Sequence, residues 1–140
     1  LGEHSFAVWT TADCAGTPHA TGFRSWFHFG VQGAPVGATL QFEVVPREVA
    51  LAEFGEIVGP LVRTDEYLVP TGMDVDLNVA MRNAVRAAVK LIEARWGLDE
   101  HLAYAYLSAA TDFDISQVVD VVCGVHARIR EADFAKLDRD

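Results

Sequence analysis

The sequence predicts an α+β fold in which a β-sandwich-like antiparallel sheet receives two consecutive helices before a terminal β-hairpin. Apolar residues alternate between Gly/Pro turns over residues 5–45, recur at three- and four-residue steps from residue 77, and give way to a β-branched segment near the carboxyl end. The 140 residues suit a single domain with a β-rich half, residues 1–66, and a helix–helix–hairpin half, residues 67–140.

The β-rich half contains three segments with the two-residue period of a half-buried strand. They read "SFAVWTT" from residue 5, "FRSWFHFGV" from residue 23 and "ATLQFEVV" from residue 38, and Pro46 ends the third. Residues 47–64, "REVALAEFGEIVGPLVRT", fit either a short helix or a strand with a loop. We leave these two alternatives open for that segment.

Two helices follow, each with a start signal in the sequence. Asp74 or Asp76 can accept a hydrogen bond from the first free amides of a helix, and Asp99 can do so for the next one. Gly97 predicts a left-handed end to the first helix. The expected buried stripe of the first helix is Leu77, Met81, Ala84, Val85, Ala88, Leu91 and Ile92, and that of the second is Leu102, Ala103, Tyr106 and Leu107.

The carboxyl-terminal segment predicts a β-hairpin. "ISQVVDVV" from residue 115 has the β-branched content of a strand, "CG" at residues 123–124 permits a tight turn, and "VHARI" returns as the second strand. On this returning strand His126 is expected on the face opposite Val125 and Ala127.

The net charge of −9 argues against nucleic acid and anionic membrane as partners, because both select basic surfaces. No apolar run reaches the ~20 residues that span a bilayer, and no signal-peptide pattern opens the chain. Cys14 and Cys123 are isolated, which indicates neither a zinc site nor a disulfide framework, so we expect a protein of the reducing cytoplasm. No phosphate-binding glycine loop is present, so no nucleotide cofactor is expected. Since the chain begins with Leu1, it is expected to be a processed form or a piece of a longer protein.

Asp112 and Asp114 have two interpretations. On an extended backbone, residues two apart project to one face, where two carboxylates can share a cation or raise the pKa of one of them. Aspartate also favours turns, because its side chain bonds the local backbone. Similarly, Arg82, Arg86 and Lys90 form either a solvated helix face or a contact for an acidic partner, and His19, His28 and Cys14 are weaker candidates for a site.

Residues 67–134 resemble the carboxyl-terminal part of the acetamidase/formamidase family. The likeness lies in "YLVPTGMDVDLNVAMRNAV", "GLDEHLAYAYLSAATDFDISQVVD" and "GVHARIREADF". It implies hydrolysis of short aliphatic amides to a carboxylic acid and ammonia, assisted by a divalent metal such as zinc or calcium. Under this interpretation Asp112, Asp114 and His126 are the candidate catalytic residues, and Gln117 is the candidate for recognising the amide.

Residues 5–64, with "FAVWTTADCAGTPHATGFRSWFHFGVQGAPVG" and "PLVRT", resemble the β-domain that precedes the catalytic domain of cytosolic carboxypeptidases. The chain contains neither the H-x-x-E zinc motif of those enzymes nor a run like D-x-H-x-x-Q-G-D-G-E, which we take to line the acetamidase catalytic centre. The alternative hypothesis is therefore a non-catalytic module used for association. Both hypotheses are compatible with a homo-oligomer, which we expect because a small domain can hide exposed apolar area in a partner copy.

Overall fold

The computed structural model describes residues 7–9, 45–118 and 121–137. Within these ranges five strands form one antiparallel sheet in the order β1-β2-β3-β5-β4, and helices pack on it. The strands are β1 (Ala7–Trp9), β2 (Leu61–Arg63), β3 (Tyr67–Asp74), β4 (Asp112–Gln117) and β5 (Cys123–Arg130). The helices are α1 (Arg47–Phe54), α2 (Leu77–Trp96), α3 (Glu100–Ala110) and a 3-10 turn (Glu131–Phe134).

This arrangement confirms the α+β class, with two consecutive helices before a terminal hairpin. Residues 47–64 contain both of the alternatives left open by the sequence, since α1 is followed by a loop and then by β2. The strand predicted at 23–31, the one at 38–45 except for its last residue, and the candidates Cys14, His19 and His28 lie outside the described residues. No helix in the described ranges is both long enough and apolar enough to cross a membrane.

Helix α2 begins and ends at the predicted signals. The Asp76 carboxylate accepts from the Val79 amide at 3.0 Å, whereas Asp74 accepts from the Asp76 amide in the turn before the helix. At the other end Gly97 has φ 69° and ψ 19°, the left-handed conformation that glycine adopts without a steric penalty. Of the two aspartates that the sequence offers as the cap of this helix, Asp76 is therefore the one that caps it.

Helix α2 packs unusually close to the sheet through small residues. Ala80, Ala84 and Ala88 are fully buried on its inner face, and Gly72 of β3 lies directly against the backbone of Ala80 and Ala84. The predicted stripe is right in its alanines and in Leu91 and Ile92, but Met81 is exposed because the contact face is rotated towards Ala80. The packed face thus includes Ala80, Val89 and Trp96, which the predicted stripe omits.

The main core lies between α2, α3 and strands β2, β3 and β5. Its members are buried apolar residues: Phe54, Leu61, Leu68, Ala88, Val89, Leu91, Ile92, Trp96, Ala103, Leu107, Ala127, Ile129 and Phe134. At one end Phe134 stacks on Trp96 with ring centroids 3.9 Å apart and meets Tyr106 edge-on at 4.6 Å. The 3-10 turn therefore closes the core after β5.

Two predictions in the carboxyl-terminal half are wrong in position. In α3, capped by Asp99 as predicted, Ala103 and Leu107 are buried but Leu102 is 56% exposed, because only one narrow side of this helix faces α2. In the hairpin, Cys123 and Gly124 belong to β5, and the chain reverses between Gln117 and Cys123 instead. Strand β4 accordingly starts at Asp112, three residues before the predicted start.

Candidate functional site

The hairpin formed by β4 and β5 separates an apolar face from a polar one. Val125, Ala127 and Ile129 point towards the helices and are buried, so the alternation of the strand places His126 and Arg128 on the opposite face. This matches the orientation that the sequence predicts for His126. The polar face of the hairpin carries Asp112, Asp114, Gln117 and His126, the candidates that the sequence places in the segment resembling acetamidases.

Asp112 and Asp114 lie on this polar face, and Arg128 binds both of them. Nη2 of Arg128 is 3.0 Å from Oδ2 of Asp112, and its Nε is 3.0 Å from Oδ2 of Asp114. The two carboxylates therefore project to one side as expected of an extended backbone, and they belong to strand β4 rather than to a turn. Their shared partner is a guanidinium group.

His126 connects a hydroxyl to one of these carboxylates. Its Nδ1 lies 2.7 Å from Oγ of Ser116, and its Nε2 lies 3.9 Å from Oδ2 of Asp114. Burial lowers the pKa of His126 from its ordinary value of 6.5; the charge of Asp114 opposes this effect and that of Arg128 reinforces it. The imidazole is therefore neutral near pH 7, and one ring nitrogen is available to accept a proton.

Ser116 lies beside this imidazole and is part of a β-bulge. Ile115 pairs with Val125 and Gln117 pairs with Gly124, so Ser116 is an extra residue in β4 with no opposite partner. A Cβ atom on Gly124 would lie 3.5 Å from Cβ of Ser116 and 3.4 Å from Cγ of Gln117. Both side chains consequently stand on the polar face, on the same side as Gly124.

Gln117 is only 6% exposed and half of its amide is satisfied. Its Nε2 donates to the backbone oxygen of Val122, which fixes the orientation of the amide. Its Oε1 is buried without a hydrogen-bond partner in the described part of the chain. Buried acceptors normally have a donor, so this oxygen is an unused site for an N–H group.

The structure thus brings Asp112, Asp114, Gln117 and His126 onto one face, and it adds two residues that the sequence reasoning missed. Ser116 follows Asp112 and Asp114 at the same two-residue step, and this spacing was a signal that could have indicated it. Arg128 stands two residues after His126, but an arginine on an exposed strand face carries little information by itself.

The described residues of this hairpin do not supply a set of donors that fits a metal ion. No group of three or more His, Cys, Asp or Glu side chains that could hold an ion occurs in residues 45–118 and 121–137. The carboxylate pair that a zinc or calcium ion would need is instead bound by Arg128. A concave depression with an empty volume of about 270 Å³ is lined elsewhere, at the end of α1 and around β2, by Phe54, Ile57, Val58, Pro60, Leu61 and Leu91 among others.

Comparison with solved structures finds a known fold that part of the chain matches. An acetamidase from Bacillus halodurans matches 61% of the chain with a TM-score of 0.55 and 23% identity, and the match spans 28% of that structure. An acetamidase from Yersinia enterocolitica matches 57% of the chain with a TM-score of 0.55 and 24% identity, over 24% of its own length. The chain shares part of the acetamidase fold.

Sequence comparison gives a different relative. Cytosolic carboxypeptidase-like protein 5 from Rattus norvegicus is 34% identical over 62 residues, which is 44% of this chain and 8% of that protein. The protein of the same name from Danio rerio is 36% identical over 62 residues, or 7% of its length. No family model matches the chain. Both resemblances expected from the sequence are therefore found, and the chain spans under a tenth of its curated relatives.

Proposed function

We propose that this chain provides a portion of an amide hydrolase that converts short aliphatic amides to a carboxylic acid and ammonia. The observation that carries this proposal is the hydrogen bond between Ser116 and His126 on the hairpin, next to Asp114. A neutral imidazole in contact with a hydroxyl is the arrangement that general-base catalysis requires. The fold shared with acetamidases supports the choice of an amide as substrate.

The polar face offers groups for the chemical stages of amide hydrolysis. His126 can accept a proton as the carbonyl carbon is attacked and return it to the leaving nitrogen. Asp114, 3.9 Å from Nε2, stabilises the imidazolium ion that forms between these steps. Gln117 supplies the unused acceptor Oε1, to which the N–H of a primary amide can donate.

The test is ammonia release from formamide and acetamide, measured for the wild-type chain and for His126→Gln. We expect the substitution to reduce the rate by roughly 100-fold or more, because a general base contributes about 10²–10⁴. His101→Gln is the matched control, since His101 is exposed on the first turn of α3. Equal rates in His126→Gln and His101→Gln would remove the imidazole from the mechanism.

Asp112 and the implied metal are tested in the same assay. Asp112→Asn removes one of the two carboxylates bound to Arg128 without changing the side-chain volume. A loss of ammonia release would support a role in the site, and unchanged release would make Asp112 a structural partner of Arg128. The divalent metal stays a prediction, which elemental analysis for zinc and calcium on the full chain decides.

A second candidate function is association between copies of this chain, favoured by the edge of the sheet. Strand β4 ends the described strand order, and Ile115, Val118 and Val121 near it are 58%, 52% and 86% exposed. Edge strands carry unpaired backbone groups that readily pair with another chain. Light scattering measures this directly: Ile115→Lys should lower the mass of an oligomer, whereas Val58→Lys, at an exposed site on the loop before β2, should not.

A further inference from the structure

Ser116 lies at the β-bulge, on the same face of β4 as Asp112 and Asp114. It is the extra residue between the pairs Ile115–Val125 and Gln117–Gly124, so it is free of the one-to-one pairing that holds Asp114 against His126. Its Oγ lies 2.7 Å from Nδ1 of the same His126. Bulges recur beside active sites because they redirect one side chain without disturbing the rest of the sheet.

The tautomer of His126 determines what this contact can do. With the proton on Nε2, Nδ1 accepts the hydrogen bond from the Ser116 hydroxyl, and the Nε2–H faces the Asp114 carboxylate. A serine hydroxyl becomes a nucleophile when an adjacent base takes its proton as it attacks. Ser116, His126 and Asp114 supply the hydroxyl, the base and the carboxylate of such an arrangement. Nε of Arg128 holds the carboxylate at 3.0 Å.

A second observation next to Ser116 points to a ligand. The buried Oε1 of Gln117 lacks a donor within the described part of the chain, and it lies on the residue that follows Ser116. The hydrogen bond from Nε2 to Val122 prevents the amide from turning to offer its N–H₂ group. A carboxamide substrate has the complementary N–H donor. Because Oε1 is covered in the free protein, substrate binding must uncover this oxygen.

We propose that Ser116 is the nucleophile of this site and forms an acyl-enzyme with the substrate; this inference rests on the proposed amide hydrolysis. Oγ attacks the carbonyl carbon and its proton passes to Nδ1 of His126. The C–N bond then breaks, and that proton leaves with the nitrogen as ammonia. Water attacks the Ser116 ester and gives its proton to Nδ1, the ester C–O bond breaks, and the proton returns to Oγ as the carboxylic acid departs.

Asp114 and Arg128 act in this scheme as positioning residues. The Nε of Arg128 fixes the Asp114 carboxylate beside Nε2 of His126, so the imidazolium formed during attack faces a negative charge. Arg128→Gln leaves Ser116 and His126 in place but releases the carboxylate. We therefore expect this variant to lower kcat about 10-fold with little change in KM, and Arg128→Lys to recover part of the loss.

The nucleophile is tested with 4-nitrophenyl acetate, an activated acyl donor, on the full chain. Intact-mass and peptide analysis should find one acetyl group on Ser116 in the wild type and none in Ser116→Ala. Ser108→Ala is the matched control, because Ser108 is an exposed serine of α3 whose hydroxyl donates to the Tyr104 backbone oxygen. His126→Gln should slow acetylation of Ser116 by roughly 100-fold.

The two arms separate failure of this inference from failure of the proposed function. Ammonia release that persists in Ser116→Ala, or acetylation found on another residue, rejects Ser116 as the nucleophile without contradicting the proposed amide hydrolysis. Acetylation of Ser116 without any ammonia release from formamide or acetamide supports the nucleophile and rejects those substrates. Absence of acetylation in a folded wild type, judged by circular dichroism, overturns the inference outright.

Ser116→Cys keeps a nucleophile at the position, and alkylation of its thiol faster than that of Ser108→Cys supports activation by His126.

Discussion

Gly72 of β3 and Ala84 of α2 approach so closely that a Cβ atom on Gly72 would stand 2.1 Å from the backbone nitrogen of Ala84. The same atom would lie 2.3 Å from the backbone oxygen of Ala80, so neither neighbour can yield by a side-chain rotation. The contact between α2 and the strand next to the hairpin therefore depends on the absence of a single methyl group. It holds the helix pair at a fixed height above the sheet.

Gly72→Ala is expected to lower the free energy of unfolding by about 3 kcal/mol or more, because α2 must move away from β3. Gly97→Ala is the matched control: nothing lies within 4 Å of its added Cβ, so only the left-handed backbone at φ 69° is penalised, by about 1 kcal/mol. Urea unfolding of both variants measures the difference. Equal losses in the two would show that α2 is not packed on Gly72.

The carboxylate of Glu131 is expected to contribute to stability through two arginines. It accepts hydrogen bonds from Nε and Nη2 of Arg63 at 2.9 and 3.0 Å, and Nη2 of Arg95 lies 3.9 Å from its Oε2. Glu131→Gln should lower the free energy of unfolding by about 1 kcal/mol, a modest value because the Arg63 side chain is partly exposed to solvent. The loss should shrink in high salt. Glu66→Gln, at an exposed position on the turn before β3, should change stability little at either salt concentration.

Tyr106 is expected to destabilise the fold at high pH. Burial, together with its hydrogen bond to Asp133 and the charge of that carboxylate, raises the pKa of Tyr106 from 10.0 to about 12. Between these values the unfolded chain has lost the phenolic proton while the folded chain keeps it, so stability falls as pH rises from 10 to 12. Ultraviolet titration should show one late tyrosine that disappears in Tyr106→Phe. If it persists there and vanishes in Tyr104→Phe, the assignment is wrong.

His126 is expected to reduce stability in mild acid. Its pKa is lowered in the folded protein, chiefly by burial, so below 6.5 the unfolded chain binds a proton that the folded chain resists. The stability contribution is complete above pH 6.5 and declines as pH falls towards the lowered pKa. The difference in unfolding free energy between wild type and His126→Gln should therefore change between pH 7 and pH 5. His101→Gln serves as the control, and a pH-independent difference for His126→Gln would contradict the burial effect.

The ends of the helices could be predicted from the sequence because they depend on neighbouring residues alone. Asp76, Gly97 and Asp99 satisfy or terminate backbone groups within a few positions of themselves, and the structure places each at the expected end. The orientation of a helix depends on what lies against it. The exposure of Leu102 follows from the side on which α3 meets α2, and no local pattern records this choice.

In the hairpin, too, the features set by neighbouring residues could be predicted, and those set by the pairing of strands could not. The valine-rich segment after Gln117 has strand propensity, yet the chain reverses there because β5 must pair along β3 from Asp74 to Tyr67. The alternation of Asp112 and Asp114 was readable, so their common face was predicted. The bulge that brings Gln117 to that face beside Ser116 depends on the register between two strands, and the sequence of β4 alone does not contain this information.

The extra residue in β4 also allows the polar face of the hairpin to change during evolution while the packing of α2 on β3 is kept. Deleting Ser116 would restore the regular ladder, with Gln117 directly after Ile115 and opposite Gly124, and would remove the hydroxyl beside the imidazole, while the contact of α2 with Gly72 would stay as it is. A single in-frame codon loss or gain in a related gene would thus remove or add this hydroxyl without changing the packing of α2 on β3.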